Sequence, residues 1–312
     1  MIKTRLRDFL VTKDDWIFAV SDYFHPNGIR STMRYVPDEN GERELNGKRY
    51  KKYDFDVAFD FMRENRPEWV EDVHVVPEDQ IKKVLPPNSA IEKLYDNDHR
   101  VKAVVDVLEK AGIPRDMMGV TGSLLPGLQN EGSDIDFVVY GDQWFVARDA
   151  VNKAKAESGP IEDIDMTMWK KIYNKRIPEI SFEEFILHEK RKGNRGMVDG
   201  TYFDLLFVRD WEQIKEPTQR GEDIGTMKIE AEVTNADLAF DSPSVYKVEH
   251  PEIDHVLSYT HTYAARHAGE IIEAQGVVEQ VGDIKRLVVG TSREPKGEWI
   301  RSLTLLKKEG FI

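Results

Sequence analysis

Residues 119–140, GVTGSLLPGLQNEGSDIDFVVY, decide the fold of this chain. Near their end, Asp134 and Asp136 flank a single isoleucine at the start of the apolar run FVV. Alternate residues of a strand point to the same face, so both carboxylates project together from the start of a buried strand. Two carboxylates held so close repel each other unless a cation lies between them. A hard divalent ion with oxygen ligands, Mg²⁺ or Mn²⁺, meets this requirement.

The dipeptide Gly122-Ser123 lies earlier in the same stretch, just after a short apolar run. A glycine lets the backbone approach an oxyanion closely, and backbone N–H groups and a hydroxyl donate hydrogen bonds to it. These features predict phosphate binding, with Ser133, which directly precedes the carboxylate pair, as a further contact. The alternative interpretation is structural: a Ser123 hydroxyl that bonds its own backbone, followed by a solvated loop at the strand start.

A third carboxylate lies in a distant apolar run, residues 201–208 (TYFDLLFV), whose β-rich composition is typical of a buried strand. Asp204 is the clearest single carboxylate inside a long apolar run of this chain. A lone aspartate in a buried strand is costly unless it is paired or bound to a metal. We therefore expect Asp204 to lie near the other two carboxylates.

The order of these elements resembles the polymerase-beta-like nucleotidyltransferases. The shared pattern is Gly-Ser, about ten residues, Asp-x-Asp on an apolar strand, and a later carboxylate on another apolar strand. The resemblance covers roughly residues 99–210. It implies a triphosphate held by Gly122 and Ser123, and two divalent metals held by Asp134, Asp136 and Asp204.

The resemblance also implies an activity: transfer of a nucleoside monophosphate from a nucleoside triphosphate to an acceptor hydroxyl, with release of pyrophosphate. The acceptor stays open among an RNA end, a small molecule and a protein, because one fold hosts all of them. Two other hypotheses are a non-catalytic nucleotide- or RNA-binding regulatory protein on the same fold, and a metal-dependent phosphohydrolase. Phosphohydrolase sites usually add histidine ligands, and residues 119–140 contain none, which disfavours the last.

The densest basic cluster is residues 190–195, between the carboxylate pair and Asp204. It has two interpretations of equal weight. One is a contact to a triphosphate or a nucleic-acid backbone; the other is a solvated helix end, where cations are favoured. The candidate nucleotide-binding residues are Lys190, Arg191, Lys192 and Arg195.

The flanking sequence predicts an α+β and α/β protein of three modules. Residues 1–88 are expected to form a small α+β module without a motif for chemistry, and residues 89–220 the catalytic domain, a mixed sheet with helices. Residues 221–312 alternate between polar and apolar positions at close turn spacing, which is typical of a small β-barrel or sandwich. At the first boundary, Ser89 and Glu92 match the capping-box pattern of a helix start.

A strand is also predicted over residues 256–264. His255 and His261 would then share one strand face, where a zinc site is a weak alternative to an ordinary half-buried sheet.

The bulk composition excludes several classes of protein. The 312 residues contain no cysteine, which excludes disulfides, thiolate zinc sites, iron–sulfur clusters and cysteine nucleophiles. A net charge of −13 disfavours a large DNA-coating face. No apolar run approaches the roughly 18 residues of a membrane helix, and no secretory signal is apparent. We expect a cytoplasmic protein with no membrane partner, and a homo-oligomer stays open.

Overall fold

The computed structural model describes residues 2–214, 221–291 and 297–312. The chain divides into two compact units. Unit 1 comprises Met1–Asp163 and Asn194–Pro217, and unit 2 comprises Ile164–Gly193 and Thr218–Ile312. The predicted modules 1–88 and 89–220 differ from this partition, because most of both lies in unit 1 while 164–193 groups with the C-terminal part. The three-module division stays a prediction.

The N-terminal part of unit 1 is an antiparallel sheet with one helix packed on it. The strands are β1 (Phe9–Thr12), β2 (Ile17–Val20), β3 (Ile29–Pro37), β4 (Arg43–Leu45), β5 (Lys48–Lys52), β6 (His74–Val76) and β7 (Ile81–Leu85), and the helix is α1 (Phe55–Asn65). Their order is β4-β5-β3-β2-β1-β7, with β6 paired to β3. Ala58 and Met62 on α1 are buried against Phe18 and Met33 of the sheet. This α+β arrangement is the one predicted from the sequence.

The second sheet of unit 1 carries the carboxylate residues. Its strands are β8 (Met118–Val120), β9 (Ile135–Tyr140), β10 (Arg195–Val198) and β11 (Thr201–Val208), and the helices around it are α2 (Ile91–Asn97), α3 (His99–Lys110) and α4 (Gln143–Ala156). The order is β10-β11-β9-β8. β11 runs parallel to β9, and the other two pairings are antiparallel. The predicted mixed sheet with helices is therefore confirmed.

Helix α3 follows its apolar periodicity closely. The side chains of Val101, Val104, Val105 and Leu108 are all fully buried, as their helical spacing predicts. The Asp98 side chain accepts a hydrogen bond from the backbone of Arg100 and caps the helix start.

The capping box predicted at Ser89 is wrong. Ser89 lies inside a short 3₁₀ helix, Pro87–Ala90, and its hydroxyl donates to the carbonyl oxygen of Pro86 at 2.6 Å. Helix α2 begins after Ala90, which offers no side-chain cap. The Ser89 hydroxyl bonds to Pro86 within the turn, so it does not cap helix α2.

The two sheets of unit 1 meet through the loop that follows β8. Leu125 and Leu128 of this loop are buried in one apolar cluster with Phe9, Ile17 and Tyr35 of the N-terminal sheet. Such shared burial fixes the loop against the sheet face, because each buried aliphatic side chain contributes about 1.5–3 kcal/mol. The N-terminal sheet thus supports the loop between Gly122 and Asp134.

Unit 2 combines three helices with a six-stranded sheet. Its elements are α5 (Met166–Arg176), α6 (Phe182–Lys192), β12 (Glu222–Leu238), β13 (Ser244–Glu249), β14 (His255–Ser258), β15 (Ile271–Val281), β16 (Ile284–Val289), β17 (Trp299–Ser302) and α7 (Leu303–Lys308). The order is β12-β13-β14-β16-β15-β17, and β12 also pairs with β15. β15 and β16 form an antiparallel hairpin around Gly282. The β-rich character predicted for the C-terminal residues is confirmed, and a barrel or sandwich stays a prediction.

The continuous strand predicted over residues 256–264 is wrong. β14 ends at Ser258, and a 3₁₀ helix follows over His261–Tyr263, capped by the Thr260 side chain. His255 and His261 therefore do not share a strand face. In the described ranges, no helix combines the length and the apolarity needed to cross a membrane.

Candidate active site

Two of the three carboxylates lie side by side at the centre of the second sheet. Asp136 on β9 and Asp204 on β11 are register partners of a parallel pair. Partners in register project from the same face of a sheet, so these side chains are neighbours. Asp204 is only 6% exposed. Asp134 is exposed and lies one residue before β9 begins.

The electrostatics of Asp136 show that all three carboxylates interact. Burial, and then the negative charge of Asp204, raise the pKa of the Asp136 carboxyl to about 6. Asp134 adds to this rise, whereas the guanidinium groups of Arg7 and Arg34 oppose it. A group of mutually repelling carboxylates is stabilised by a cation, and its oxygen donors are those that Mg²⁺ prefers.

Gly122 lies directly against this carboxylate. Its φ is +65°, and a Cβ placed on it would lie 2.4 Å from Oδ2 of Asp136. The backbone N–H of Thr121 also donates to the carbonyl oxygen of Asp136 at 2.9 Å. Only glycine satisfies both the left-handed conformation and the close approach. The Gly-Ser turn and the Asp-x-Asp strand therefore form one local structure.

The rest of the loop is closed by its own hydrogen bonds. The half-buried Ser123 accepts at its main-chain oxygen from the N–H of Leu128, at 2.9 Å. The Ser133 hydroxyl accepts from the backbone N–H of Asn130 at 2.9 Å. Arg43 of β4 donates to the Leu128 carbonyl at 3.2 Å and to the Ser133 hydroxyl at 3.4 Å. Ser133 thus holds the loop in shape.

Asp204 is oriented by protein donors on both of its oxygens. Asn194 donates to Oδ1 at 3.1 Å, and the Tyr202 hydroxyl donates to Oδ2 at 3.3 Å. Nε of Arg195 lies 3.4 Å from Oδ2 as an ion pair. The strand pairing of β10 with β11 produces this contact, because Arg195 and Asp204 are register partners.

Comparisons with known proteins agree with this geometry. A family model described as a nucleotidyltransferase domain matches residues 101–188. The uncharacterized protein MJ1086 of Methanocaldococcus jannaschii is 38% identical to this chain, over 96% of the chain and 99% of the relative. This chain carries a nucleotidyltransferase domain and belongs to the same family as MJ1086. No solved structure matches it. The matched segment of this nucleotidyltransferase contains Gly122, Ser123 and the Asp134–Asp136 pair, and it ends before Asp204.

The basic cluster of this nucleotidyltransferase does not form one patch. Lys190 is exposed on α6, whereas the next two cations are held inside unit 2. Arg191 pairs with Glu270, and Lys192, only 1% exposed, donates to Glu189 at 2.7 Å. Arg195 belongs to unit 1, beside Asp204. Arg191, Lys192 and Arg195 each have a carboxylate partner, and a nucleotide contact by the cluster stays a prediction.

The carboxylates of this nucleotidyltransferase suit a metal that arrives with its substrate. In the part of the chain that the structure describes, no three His, Asp or Glu side chains form a preformed cage. Mg²⁺ rarely needs one, because it usually takes one or two carboxylates, several waters and the substrate phosphates. Asp136 and Asp204, on neighbouring strands, and the exposed Asp134 are the residues that could hold such an ion.

Sequence patterns missed two cations of this nucleotidyltransferase site. Arg7 precedes β1, and its carbonyl oxygen accepts from the Thr121 hydroxyl at 3.0 Å. Arg34 lies on β3, in the module where the sequence shows no motif. Both act on the charge of Asp136. No spacing rule marks either arginine, because only the packing of the N-terminal sheet on the loop brings them to the carboxylates.

Proposed function

We propose that this nucleotidyltransferase moves a nucleoside monophosphate from a nucleoside triphosphate to an acceptor hydroxyl and releases pyrophosphate. The observation that carries the proposal is the register pairing of Asp136 with Asp204, with Gly122 packed on the first of them. The Gly122 backbone, which a phosphate could approach closely, therefore lies against one of two carboxylates on neighbouring strands, and this supports the proposal. Positioning and charge compensation are the main requirements of phosphoryl transfer.

The residues have distinct roles in the proposed reaction. The backbone N–H groups and hydroxyl at Gly122-Ser123 donate to the triphosphate oxygens. Asp134, Asp136 and Asp204 would hold Mg²⁺ or Mn²⁺. A bound ion of this kind lowers the pKa of an acceptor hydroxyl and compensates charge on the departing pyrophosphate. Asn194 and Tyr202 keep the Asp204 carboxylate in its orientation.

The first test is the substitution Asp136→Asn. We expect it to lower nucleotide transfer by about a thousandfold or more, because it removes one charge from the metal-binding set. The protein should stay folded, since the change also removes the repulsion between neighbouring carboxylates. The assay supplies radiolabelled ATP, CTP, GTP and UTP with Mg²⁺ to total cellular RNA, total protein and small-molecule extracts.

The matched control is Asp149→Asn, which removes an exposed carboxylate of α4 in the same unit. It should transfer nucleotide at the wild-type rate. The fraction that takes up label identifies the acceptor as RNA, protein or small molecule. Equal activity of D136N and wild type would contradict the proposal, and release of orthophosphate in place of pyrophosphate would point to a hydrolase.

A second candidate is a nucleotide- or RNA-binding regulatory protein on the same fold. The observation that favours it is the set of protein donors already bound to both oxygens of Asp204. A binding protein would be stabilised by nucleoside triphosphate with Mg²⁺ but release no pyrophosphate. Thermal shift and pyrophosphate release, measured on the same sample, separate the two functions.

A further inference from the structure

The proposed site needs more positive charge than the sequence patterns supply. Three carboxylates and a triphosphate are all anionic, and transferring phosphates are normally held by arginine or lysine as well as metal. The basic stretch 190–195 does not meet this need, because Arg191 and Lys192 are paired to carboxylates of unit 2. Arg34 is a candidate for this charge, because its neighbour on β3, Tyr35, packs against Leu125 and Leu128 of the loop that follows Gly122-Ser123.

A β-bulge determines where the side chain of Arg34 points. Ile17 of β2 pairs with Tyr35, but the next residue, Phe18, pairs with Met33, so Arg34 is an extra residue in β3. A bulge re-aims side chains and is frequent beside active sites. Met33 packs in the cluster with α1, whereas Tyr35 packs in the cluster with Leu125 and Leu128, so the two neighbours of Arg34 lie on opposite faces of β3.

Tyr35 shows which way this part of β3 faces. Its ring is buried in the cluster with Leu125 and Leu128, the loop that follows Gly122-Ser123. Burial raises the pKa of the Tyr35 hydroxyl, the charge of Arg34 opposes the rise, and the charge of Asp136 adds to it. The guanidinium and the carboxylate therefore act on the same buried hydroxyl. The bulged segment lies against the loop that follows Gly122-Ser123, through Tyr35.

The guanidinium of Arg34 is half-buried and available. Within residues 2–214, 221–291 and 297–312, its side chain has no hydrogen-bond or ion-pair partner. Arg30, four residues earlier on the same strand, contrasts with it, because it pairs with Asp22 at 3.0 Å and Asp72 at 2.6 Å. A half-buried arginine beside a carboxylate group, with its donors unused, is suited to a second anion.

We propose that Arg34 binds the phosphate groups of the nucleoside triphosphate, so that the N-terminal sheet forms one wall of the nucleotide site. This inference rests on the proposed function. The planar guanidinium offers paired donors that match phosphate geometry. The phosphates would then lie between the Gly122-Ser123 backbone on one side and Arg34 on the other.

The test is the binding of magnesium tripolyphosphate, which carries the phosphates without a base, measured by titration calorimetry. Arg34→Ala should weaken this binding by about tenfold or more, and Arg34→Lys by less, because it keeps the charge and loses the paired donors. The control Arg63→Ala removes an exposed arginine from α1, the helix packed on the same sheet, and should change binding less than twofold. Equal binding by Arg34→Ala and wild type would overturn the proposal.

A second measurement separates phosphate binding from simple charge balance. If Arg34 only neutralises Asp136, its removal should tighten Mn²⁺ binding and leave tripolyphosphate binding equal or stronger. If it binds phosphate, tripolyphosphate binding weakens even where Mn²⁺ binding tightens. Melting temperatures of all variants check folding, and Arg34→Gln, which keeps much of the side-chain length, replaces the alanine variant if that one unfolds.

Failure of the proposed function gives a different result from failure of the inference about Arg34. That function fails if wild type transfers no nucleotide from any of the four triphosphates, or if D136N is fully active. The inference about Arg34 fails alone if wild type transfers nucleotide and binds tripolyphosphate while the Arg34 variants bind it equally well.

Discussion

The charges of unit 2 and those of the carboxylate site in unit 1 are organised in opposite ways. In unit 2, buried cations meet protein carboxylates: Lys192 pairs with Glu189, and Arg286 pairs with Glu279. In the unit 1 site, Asp136 meets the negative charge of Asp204, which itself pairs with Arg195, and the side chain of Arg34 has no hydrogen-bond or ion-pair partner among the described residues. Matched charges hold a structure together, whereas unmatched ones mark the place where a ligand completes the balance.

The largest expected effect breaks a matched pair. Lys192→Met should destabilise the protein by about 3–5 kcal/mol, because it leaves the carboxylate of Glu189 buried without its closest cation. Lys192 also donates to the carbonyl oxygens of His261 at 2.5 Å and Thr262 at 3.0 Å, and both would lose a donor. Urea denaturation measures the loss.

The matched control is Lys190→Met, an exposed lysine two residues earlier on α6. Its effect should stay within about 0.5 kcal/mol. The comparison between paired and unpaired charge would be undone if Lys192→Met were as stable as wild type but unable to bind tripolyphosphate. That result would indicate that Lys192 binds the nucleotide.

The next effect concerns Gly122. Gly122→Ala should reduce nucleotide transfer by about a hundredfold or more, because the new methyl group would displace the Asp136 carboxylate that lies 2.4 Å away. Gly47→Ala is the control: that glycine also has a positive φ, and nothing lies within 4 Å of its Cβ position. Both variants bear the backbone strain, about 1 kcal/mol. The initial rate of nucleotide transfer should fall only for Gly122→Ala. Equal initial rates for the two variants would show that the contact between Gly122 and Asp136 does not matter for transfer.

The smallest effect is a pH dependence carried by unit 2. Nδ1 of the buried His188 lies 2.7 Å from the carbonyl oxygen of Glu184, and Nε2 accepts a hydrogen bond from the backbone N–H of Ser302. The ring is therefore held neutral. Burial, with the charge of Arg266, lowers its pKa to about 2. The pKa of His188 in the folded protein lies below its unfolded value near 6.5. Its contribution to the free energy of unfolding is therefore complete above pH 6.5 and is lost as the pH falls below that value.

The expected loss from His188 is about 1.4 kcal/mol per pH unit between pH 6.5 and pH 5. Urea denaturation at pH 7.0 and pH 5.5 measures it. His188→Gln removes the titrating group and should flatten the slope over this interval. A slope that is unchanged in that variant would assign the pH dependence to other groups.

The local chemistry of the site could be predicted because it lies within single stretches of sequence. The alternation around Asp136 and the apolar run around Asp204 determine two buried strands, and the structure contains both. The register pairing of Asp136 with Asp204 joins strands that are far apart in the sequence, so it could not be predicted. Periodicity gives the face of each strand but not its neighbour.

The failures of prediction share one cause, which is competition from distant or neighbouring partners. The hydroxyl of Ser89 bonds backward to Pro86, and the Thr260 side chain caps a 3₁₀ helix where a continuous strand was predicted. Arg34 was missed because its role depends on a one-residue slip between β2 and β3, which leaves no mark in composition or spacing. A sequence pattern records which groups are present, and the fold decides which of them are already satisfied.

The route of the chain between β9 and β11 limits how this enzyme can be divided. The polypeptide leaves unit 1 after Asp163, contributes α5 and α6 to unit 2, and returns at Asn194, so the excursion lies between the Asp136 strand and the Asp204 strand. A shortened chain ending at residue 217 would contain every acidic residue of the proposed site. It would also contain α5 and α6 without the β12–β17 sheet, which belongs to the same unit. Their exposed apolar surface would then promote aggregation. Expression of a minimal catalytic fragment therefore requires replacing residues 164–193 with a short linker rather than simply removing the C-terminal part.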